Sequence, residues 1–511
     1  MPGSPPAPWW RSAVVYQIYP RSFADADGDG VGDLEGVRQH LDHLAWLGID
    51  AVWLSPFYRS PMADYGYDVA GFCAVDPLFG DLAAFDRLLA EAHALGIKIV
   101  VDLVPNHTSD QHPWFVAART SRDDPQRAWY VWRDGGGPTV PPNNWLGAFI
   151  DGGRAWTWDD ATSQWYLHQF LPEQPDLNWD NPEVVEAMHG VMRFWLDRGV
   201  DGFRIDVIHC IGRDPAFPDD APPWSTVPHC ASNEHPSTHE HVRAMRALAD
   251  GYDGDRVLIG ETALPGTRYV APYYGDGDEL HLAFNFAATQ AAWDAAAWRK
   301  RIARIEELLD PRGAWPSWVL SNHDIPRHRT RHGGGEARAR AAAVLLLALR
   351  GTPFLYAGEE LGLEDAIVPP ERVLDPGGRD GCRAPIPWTA APDHGWGAAP
   401  WLPFPPDAAA RSGEAQRADP ASILHLYRRM LAARHSSAAL TTGDQEVLES
   451  PASVLAWRRS AGGDQRTVLV NMGAEPTTVD VAGTIEVASD GVGEGAPFSG
   501  RLAADTAVVI R

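Results

Sequence analysis

The chain contains no apolar run of about 18 residues, the length a membrane-spanning helix requires, so nothing in it is expected to cross a bilayer. Its opening, Met1-Pro-Gly-Ser-Pro-Pro-Ala-Pro8, has neither a basic n-region nor an apolar h-region, and no secretory signal is expected there. Cysteine is scarce. The four present (Cys73, Cys210, Cys230 and Cys382) are widely spaced and form no C-x-x-C pair. That argues against a disulfide frame or a zinc site and for reduced thiols in a cytoplasmic protein. Positive charge is outweighed, with a formal net charge of −25. Nucleic acid and acidic membrane surfaces are therefore excluded as main partners, whereas a neutral ligand such as a sugar is not opposed.

What is present is ordinary globular composition, 45% apolar and 22% charged, in a chain of 511 residues. That length exceeds one compact core, so two or three domains are expected. Tryptophan is abundant, at 22 residues. Trp faces suit stacking on sugar rings, but buried aromatics dominate cores, and most of these are expected to be packing residues.

Short apolar runs alternate with amphipathic stretches. Candidate strands are Val14 to Tyr19, Ala51 to Ser55, Lys98 to Asp102, Asp201 to Asp206, Val257 to Glu261, His281 to Phe286, Trp318 to Ser321 and Pro353 to Tyr356. Helical patterns precede the third (Phe85 to Leu95, ending at Gly96) and the eighth (Glu336 to Leu349). Continuously apolar strands separated by helices describe a parallel sheet covered on both faces, and eight of them predict a (β/α)₈ barrel. Residues 108–179, rich in Trp, Pro, Gly and Asp, interrupt the alternation after the third strand as an insertion domain, splitting the barrel into 1–107 and 180–434. A long irregular stretch, about 364–407, follows the eighth strand. Beyond Arg434, short alternating segments at Val454 to Arg458, Thr467 to Asn471, Thr477 to Val481 and Ala507 to Ile510 predict a C-terminal antiparallel β-sandwich over 435–511.

Polar residues stand where these strands end: Asn106-His107 after the third, Asp206 after the fourth, Glu261 after the fifth, and Asn322-His323-Asp324 after the seventh. A barrel puts all those ends on one face, where active sites are built. Any one buried acid is commonly a structural ion pair; four strand ends together favour chemistry. Arg204 and Asp206, two apart on one strand, point to the same side, and the guanidinium is expected to keep Asp206 ionised. A neighbouring anion is expected to raise Glu261 so that it can donate a proton. One ionised and one protonated carboxyl are the equipment of retaining glycoside cleavage.

Asp102-Leu-Val-Pro-Asn-His107, Gly202-Phe-Arg-Ile-Asp206, Gly260-Glu261 and Ser321-Asn-His-Asp324 resemble the four signature segments of the α-amylase superfamily, glycoside hydrolase family 13. Gln174-Pro-Asp-Leu-Asn-Trp179 is similar to a fifth segment found in its α-glucosidase and oligo-1,6-glucosidase branch. The resemblance implies Asp206 as nucleophile, Glu261 as acid/base and Asp324 as the group holding the sugar 2- and 3-hydroxyls. It implies Arg204, His107 and His323 around the glucose, Tyr67 stacked beneath it and Phe170 at the rim. Asp64 and Arg383, the latter in Arg379-Asp-Gly-Cys-Arg383, match a clamp on the non-reducing end that makes a pocket rather than a cleft. Exo-action on short oligosaccharides or α-glucosides is the expectation, without an organic cofactor. Nothing in the sequence fixes an oligomeric state.

Asp25-Ala-Asp-Gly-Asp-Gly-Val-Gly-Asp33 places carboxylates at alternate positions, a spacing that wraps a hard cation, although Gly36 stands where an EF-hand has Glu. The resemblance implies structural calcium held by Asp25, Asp27, Asp29, the Val31 carbonyl and Asp33. Val207 after the nucleophile accompanies α-1,6 preference in one branch. The continuation Ile208 to Asp214, with His209 where that branch has Asn, is closer to α-1,4-acting α-glucosidases, and α-1,4 is the expectation. His209, Glu359 and Glu360 read as supporting groups. A transglucosylase or isomerase, sucrose- and trehalose-acting ones included, would share this machinery, as would a phosphorolytic sucrose enzyme.

Overall fold

Eight parallel strands make one sheet: β1 (Val15–Ile18), β2 (Ala51–Leu54), β3 (Lys98–Leu103), β4 (Gly202–Ile205), β5 (Val257–Gly260), β6 (Leu282–Ala283), β7 (Ser317–Val319) and β8 (Thr352–Tyr356). The computed structural model describes residues 7–511 except 149–152, 221–232, 265, 285, 287, 334 and 376. Strand order runs β6-β5-β4-β3-β2-β1-β8-β7, every neighbour parallel. The two ends of this order meet where the Ser317 hydroxyl donates to the Ala283 carbonyl at 2.7 Å, which closes the curved sheet into the (β/α)₈ barrel. The expected sixth strand is reduced to two residues.

Sequence punctuation accounts for the crossover helices. Asp81 caps Leu82–Ala94, its carboxylate accepting from the Ala84 amide. Asn181 caps Pro182–Arg198, Pro182 fills the first-turn position that lacks a partner for N–H, and left-handed Gly199 ends the helix. Val15, Ala51, Trp53, Val100, Val257, Ile259, Val319 and Phe354 fill the barrel interior as a separate apolar cluster. The larger core lies outside the strands, beneath the helices. Gly202 is required by close approach, since a Cβ there would come 2.1 Å from the Val257 carbonyl oxygen.

The segment after β3 holds a three-stranded antiparallel sheet, with Gln164–Leu167 between Trp132–Arg133 and Trp156–Asp159. Trp145, Trp156 and Trp165 form its small core. Helices continue past residue 434, through Ile423–Ser436 and Ala438–Thr442. The C-terminal region is a five-stranded antiparallel sheet flanked by a two-stranded one, Thr477–Thr478 with Arg501–Leu502. Two of the five strands, Asp444–Val447 and Ile485–Ala488, were not among the sequence candidates, and the candidate over 477–481 is only two residues long. Among the described residues Cys73, Cys210 and Cys382 form no disulfide; Cys230 lies outside the described residues. Among the described residues no helix is long and apolar enough to cross a membrane.

Candidate active site

The catalytic-face carboxylates are placed by barrel register. Asp102 and Arg204 are direct neighbours across β3 and β4. The ladder runs one residue past each strand: the Asp206 amide donates to the Leu103 carbonyl and the Glu261 amide to the Ile205 carbonyl, each at 2.8 Å. Carboxylates far apart in sequence thus arrive side by side at the strand tips. A cavity of about 200 Å³ opens there, lined by Asp206, Glu261 and Asp324 with Asp64, Tyr67, His107, Phe170, Arg379, Val207 and Ala148.

Arg204 is the hub. Its Nη1 lies 2.6 Å from Asp102 Oδ1 and 2.9 Å from Asp206 Oδ1, and Nη2 bonds Glu261 Oε2. The side chain is 1% exposed, with its guanidinium over the Trp53 ring. Serving three carboxylates, it does not hold Asp206 ionised by itself, which corrects the sequence expectation. Burial raises the Asp206 carboxyl well above the carboxylate range against the pull of Arg204, and Glu261, Asp102 and Asp324 raise it further.

Asp324 behaves oppositely. Burial opposes its charge, yet His323, Arg379, Arg383 and Arg204 hold it far below the usual carboxylate range. Arg379 Nη1 and Arg383 Nη2 reach its Oδ1 at 3.0 and 3.1 Å. His323 is fully buried, and burial pushes its pKa down to about 3, so the ring is neutral. It stacks on Tyr67 at 5.3 Å and accepts or donates at 2.7 Å to the Tyr67 hydroxyl. Gln17 fixes its other nitrogen at 2.6 Å. His107, also lowered by burial, bonds the Tyr67 carbonyl and the Gln174 amide and meets Phe170 in a tilted contact at 5.2 Å.

The structure brings seven of the ten expected sugar-site residues to the cavity wall; Arg204, His323 and Arg383 stand behind it. Arg383 is the residue the sequence misplaced. It is completely buried, its Nε donating to the His323 carbonyl at 2.8 Å, and it does not meet Asp64. Asp64 pairs instead with Arg379, Nη2 to Oδ1 at 2.6 Å, and Gln174 donates to its other oxygen at 3.1 Å. Arg379 and Gln174 were visible in the quoted motifs, but spacing alone did not select between two arginines of one loop. Among the described residues no Trp lines the cavity, so Tyr67 and Phe170 supply its aromatic faces. His209 is buried, held near neutral form by a pKa lowered to about 4, and Glu360 is bound by Tyr16 and the Gly358 amide; both support rather than line the pocket.

Away from this site, Asp25, Asp27 and Asp29 bring one oxygen each within 4.8 Å of one another. Asp33 is not in that cluster: its carboxylate accepts from the Gly36 amide at 2.6 Å, capping Leu34–Gln39, and from the Ala26 amide at 3.0 Å. Three convergent carboxylates form a hard oxygen set suited to calcium, and Asp33 tightens the loop behind them.

Residues 17–443 match the family model for the alpha amylase catalytic domain. The chain belongs to the alpha-amylase family. It is a glycoside hydrolase of family 13, and its relatives span it nearly end to end. It is 43% identical to a probable alpha-glucosidase of Rhizobium meliloti, over 93% of this chain and 92% of that one. Identity to the oligo-1,6-glucosidase of Parageobacillus thermoglucosidasius is 37%, over 92% and 91%. Among solved structures, the alpha-glucosyl transfer enzyme XgtA superposes with a TM-score of 0.91 at 42% identity, covering 99% of this chain and all 100% of the other.

Proposed function

We propose that this family member is a retaining, exo-acting α-glucosidase that releases terminal non-reducing glucose from short α-glucosides, with α-1,4 (maltose-type) links preferred. The observation that carries the reading is the Asp64–Arg379 ion pair, which walls one end of the pocket holding Asp206, Glu261 and Asp324. A chain cannot pass through such an end, so only a terminal sugar enters. Asp206 attacks the anomeric carbon as Glu261 gives its proton to the leaving oxygen, forming a glucosyl-enzyme ester. Glu261 then takes a proton from water, and the ester opens with the α configuration restored. Asp324, kept ionised by two arginines, accepts hydrogen bonds from sugar hydroxyls, and Tyr67 packs beneath the ring. Arg204 stabilises whichever of Asp206 and Glu261 is charged at each stage.

The test is a panel of maltose, isomaltose, sucrose, trehalose, longer maltooligosaccharides and an aryl α-glucoside, with the anomer of released glucose recorded. α-Glucose from chain ends supports the reading; β-glucose, or shortening of long chains from within, ends it. Arg379→Ala is expected to raise KM for maltose by about tenfold to a hundredfold, the worth of a charged hydrogen bond of about 1.5–3 kcal/mol. An unchanged KM would remove the end wall from the argument. Likeness to XgtA favours a second reading, transfer of the glucosyl group to a sugar instead of water. Trisaccharides accumulating at high maltose concentration would select it.

Calcium on Asp25, Asp27 and Asp29 is proposed as a structural ion. A ligand that binds only the folded chain adds stability by mass action. Chelation is therefore expected to lower Tm by several degrees, with calcium restoring it; a Tm indifferent to chelator removes the ion. Cys73, Cys210 and Cys382, which form no disulfide among the described residues, support a cytoplasmic location.

A further inference from the structure

A second cavity, about 80 Å³, shares no lining residue with the first. It lies between the Trp132–Arg133 strand of the insertion and the segment that follows β4, with Trp179 and Phe217 among its walls. Arg213 faces it. This side chain is 5% exposed, yet among the described residues only Nη2 has partners: the Cys210 carbonyl at 3.2 Å and Asp176 Oδ2 at 3.3 Å. Its Nε and Nη1 are buried and find no hydrogen-bond acceptor among the described residues. Arg133 closes the other side, its guanidinium 3.8 Å above the Phe217 ring and its Nη1 donating to the Trp132 carbonyl.

Two cations thus face one small space. Burial and then the Arg213 charge lower the Arg133 pKa, opposed by Asp180, the acid on the cavity wall. Buried guanidinium N–H groups left unpaired are costly, and an acceptor carrying negative charge removes both the orphaned donors and the like-charge repulsion. Volume decides which acceptor. At 80 Å³ against 200 Å³ for the glucose-sized cavity, a hexose ring does not fit, whereas an ion of one to five heavy atoms does.

We propose that this cavity is a binding site for a small inorganic anion held between Arg213 and Arg133. The site stands one ion pair behind the active-site wall. Arg213 contacts Asp176, and the Asp176 carboxylate accepts from the Asn106 side chain at 3.1 Å and the Gln169 side chain at 2.9 Å. Asn106 in turn holds His107. The proposal does not depend on which glycoside is cleaved.

Thermal unfolding of the full-length protein tests it, with chloride and inorganic phosphate as separate probes and isethionate holding ionic strength constant. A saturable rise in Tm with one probe identifies the anion. Arg133→Gln, which changes an exposed side chain, is expected to weaken the apparent affinity by about tenfold, and Arg213→Gln to abolish it. Crystals soaked in bromide should show an anomalous peak within hydrogen-bond distance of Arg213 Nη1. No saturable rise with either probe, an equal rise in wild type and Arg133→Gln, or bromide bound only elsewhere would overturn the site. Should Arg213→Gln fail to fold, Arg133→Gln and the bromide position still decide.

Discussion

Asp206→Asn is expected to lower kcat/KM on maltose by roughly 10⁴-fold or more, the scale seen when a covalent nucleophile is removed. The amide keeps the shape and the contact to Arg204 but cannot form the glucosyl ester. Glu261→Gln is the more discriminating variant. It removes a proton donor, an effect of about 10²–10⁴-fold, but only where the leaving oxygen needs that proton. Maltose leaves as a sugar alkoxide and needs it. A nitrophenyl glucoside leaves as a weakly basic phenolate and does not. Turnover of the aryl substrate should therefore show a burst of nitrophenol followed by slow release of glucose, because water attacking the ester now lacks its base. Equal losses on both substrates would remove Glu261 from the acid role and leave it a structural partner of Arg204. Full activity in Asp206→Asn would end the retaining route altogether.

The constellation behind these variants was legible because it sits on regular structure. Apolar runs marked the strands, and the barrel converts the end of each run into a position on one face. Asp206, Glu261 and Asp324 needed no more than that. What stayed hidden depends on loop paths and shared contacts. Arg379 and Arg383 lie four apart in a loop after β8, and only the folded path turns the first into the pocket and the second into the wall behind Asp324. The sharing of Arg204 among three carboxylates was equally invisible, since Asp102 joins through β3–β4 register rather than through sequence. Tryptophan followed the expectation that most of it packs the core: Trp53, Trp145, Trp195, Trp298, Trp318, Trp396 and Trp457 are fully buried. In the C-terminal sheet, Asp444–Val447 reads as polar because its residues are partly or fully exposed, and an edge strand without an apolar face leaves no period to find.

Stability is expected to peak near pH 6–7 and to fall on both sides, for different reasons. His112 and His209 are lowered to about 4, and His281 and His323 to about 3, all chiefly by burial; His328 lies well below the ordinary value for the same reason. Each is neutral when folded and protonated when unfolded below pH 6.5, so the unfolded chain gains protons as pH drops and stability is lost between about 6.5 and 4. Raised carboxyls act in the opposite sense. Burial lifts Asp102 to about 6 and Glu359 to about 8, and Asp206 is also raised. Their contribution is complete below the unfolded carboxyl pKa and disappears as pH climbs through the folded one. Near pH 5 the lowered imidazoles take up protons on unfolding while the raised carboxyls release them, and the more numerous imidazoles set the sign of the acid limb. Between pH 7 and 8 the imidazoles are neutral in both states, and Glu359, raised to about 8 by burial, still holds a proton in the fold that it loses on unfolding. Glu359→Gln, neutral at every pH, should flatten the decline in Tm from pH 6.5 to 8 while leaving the acid limb in place. A variant whose alkaline limb matches wild type would show that Glu359 is ionised in the folded protein and that His328, 3.9 Å away, carries a charge to match it.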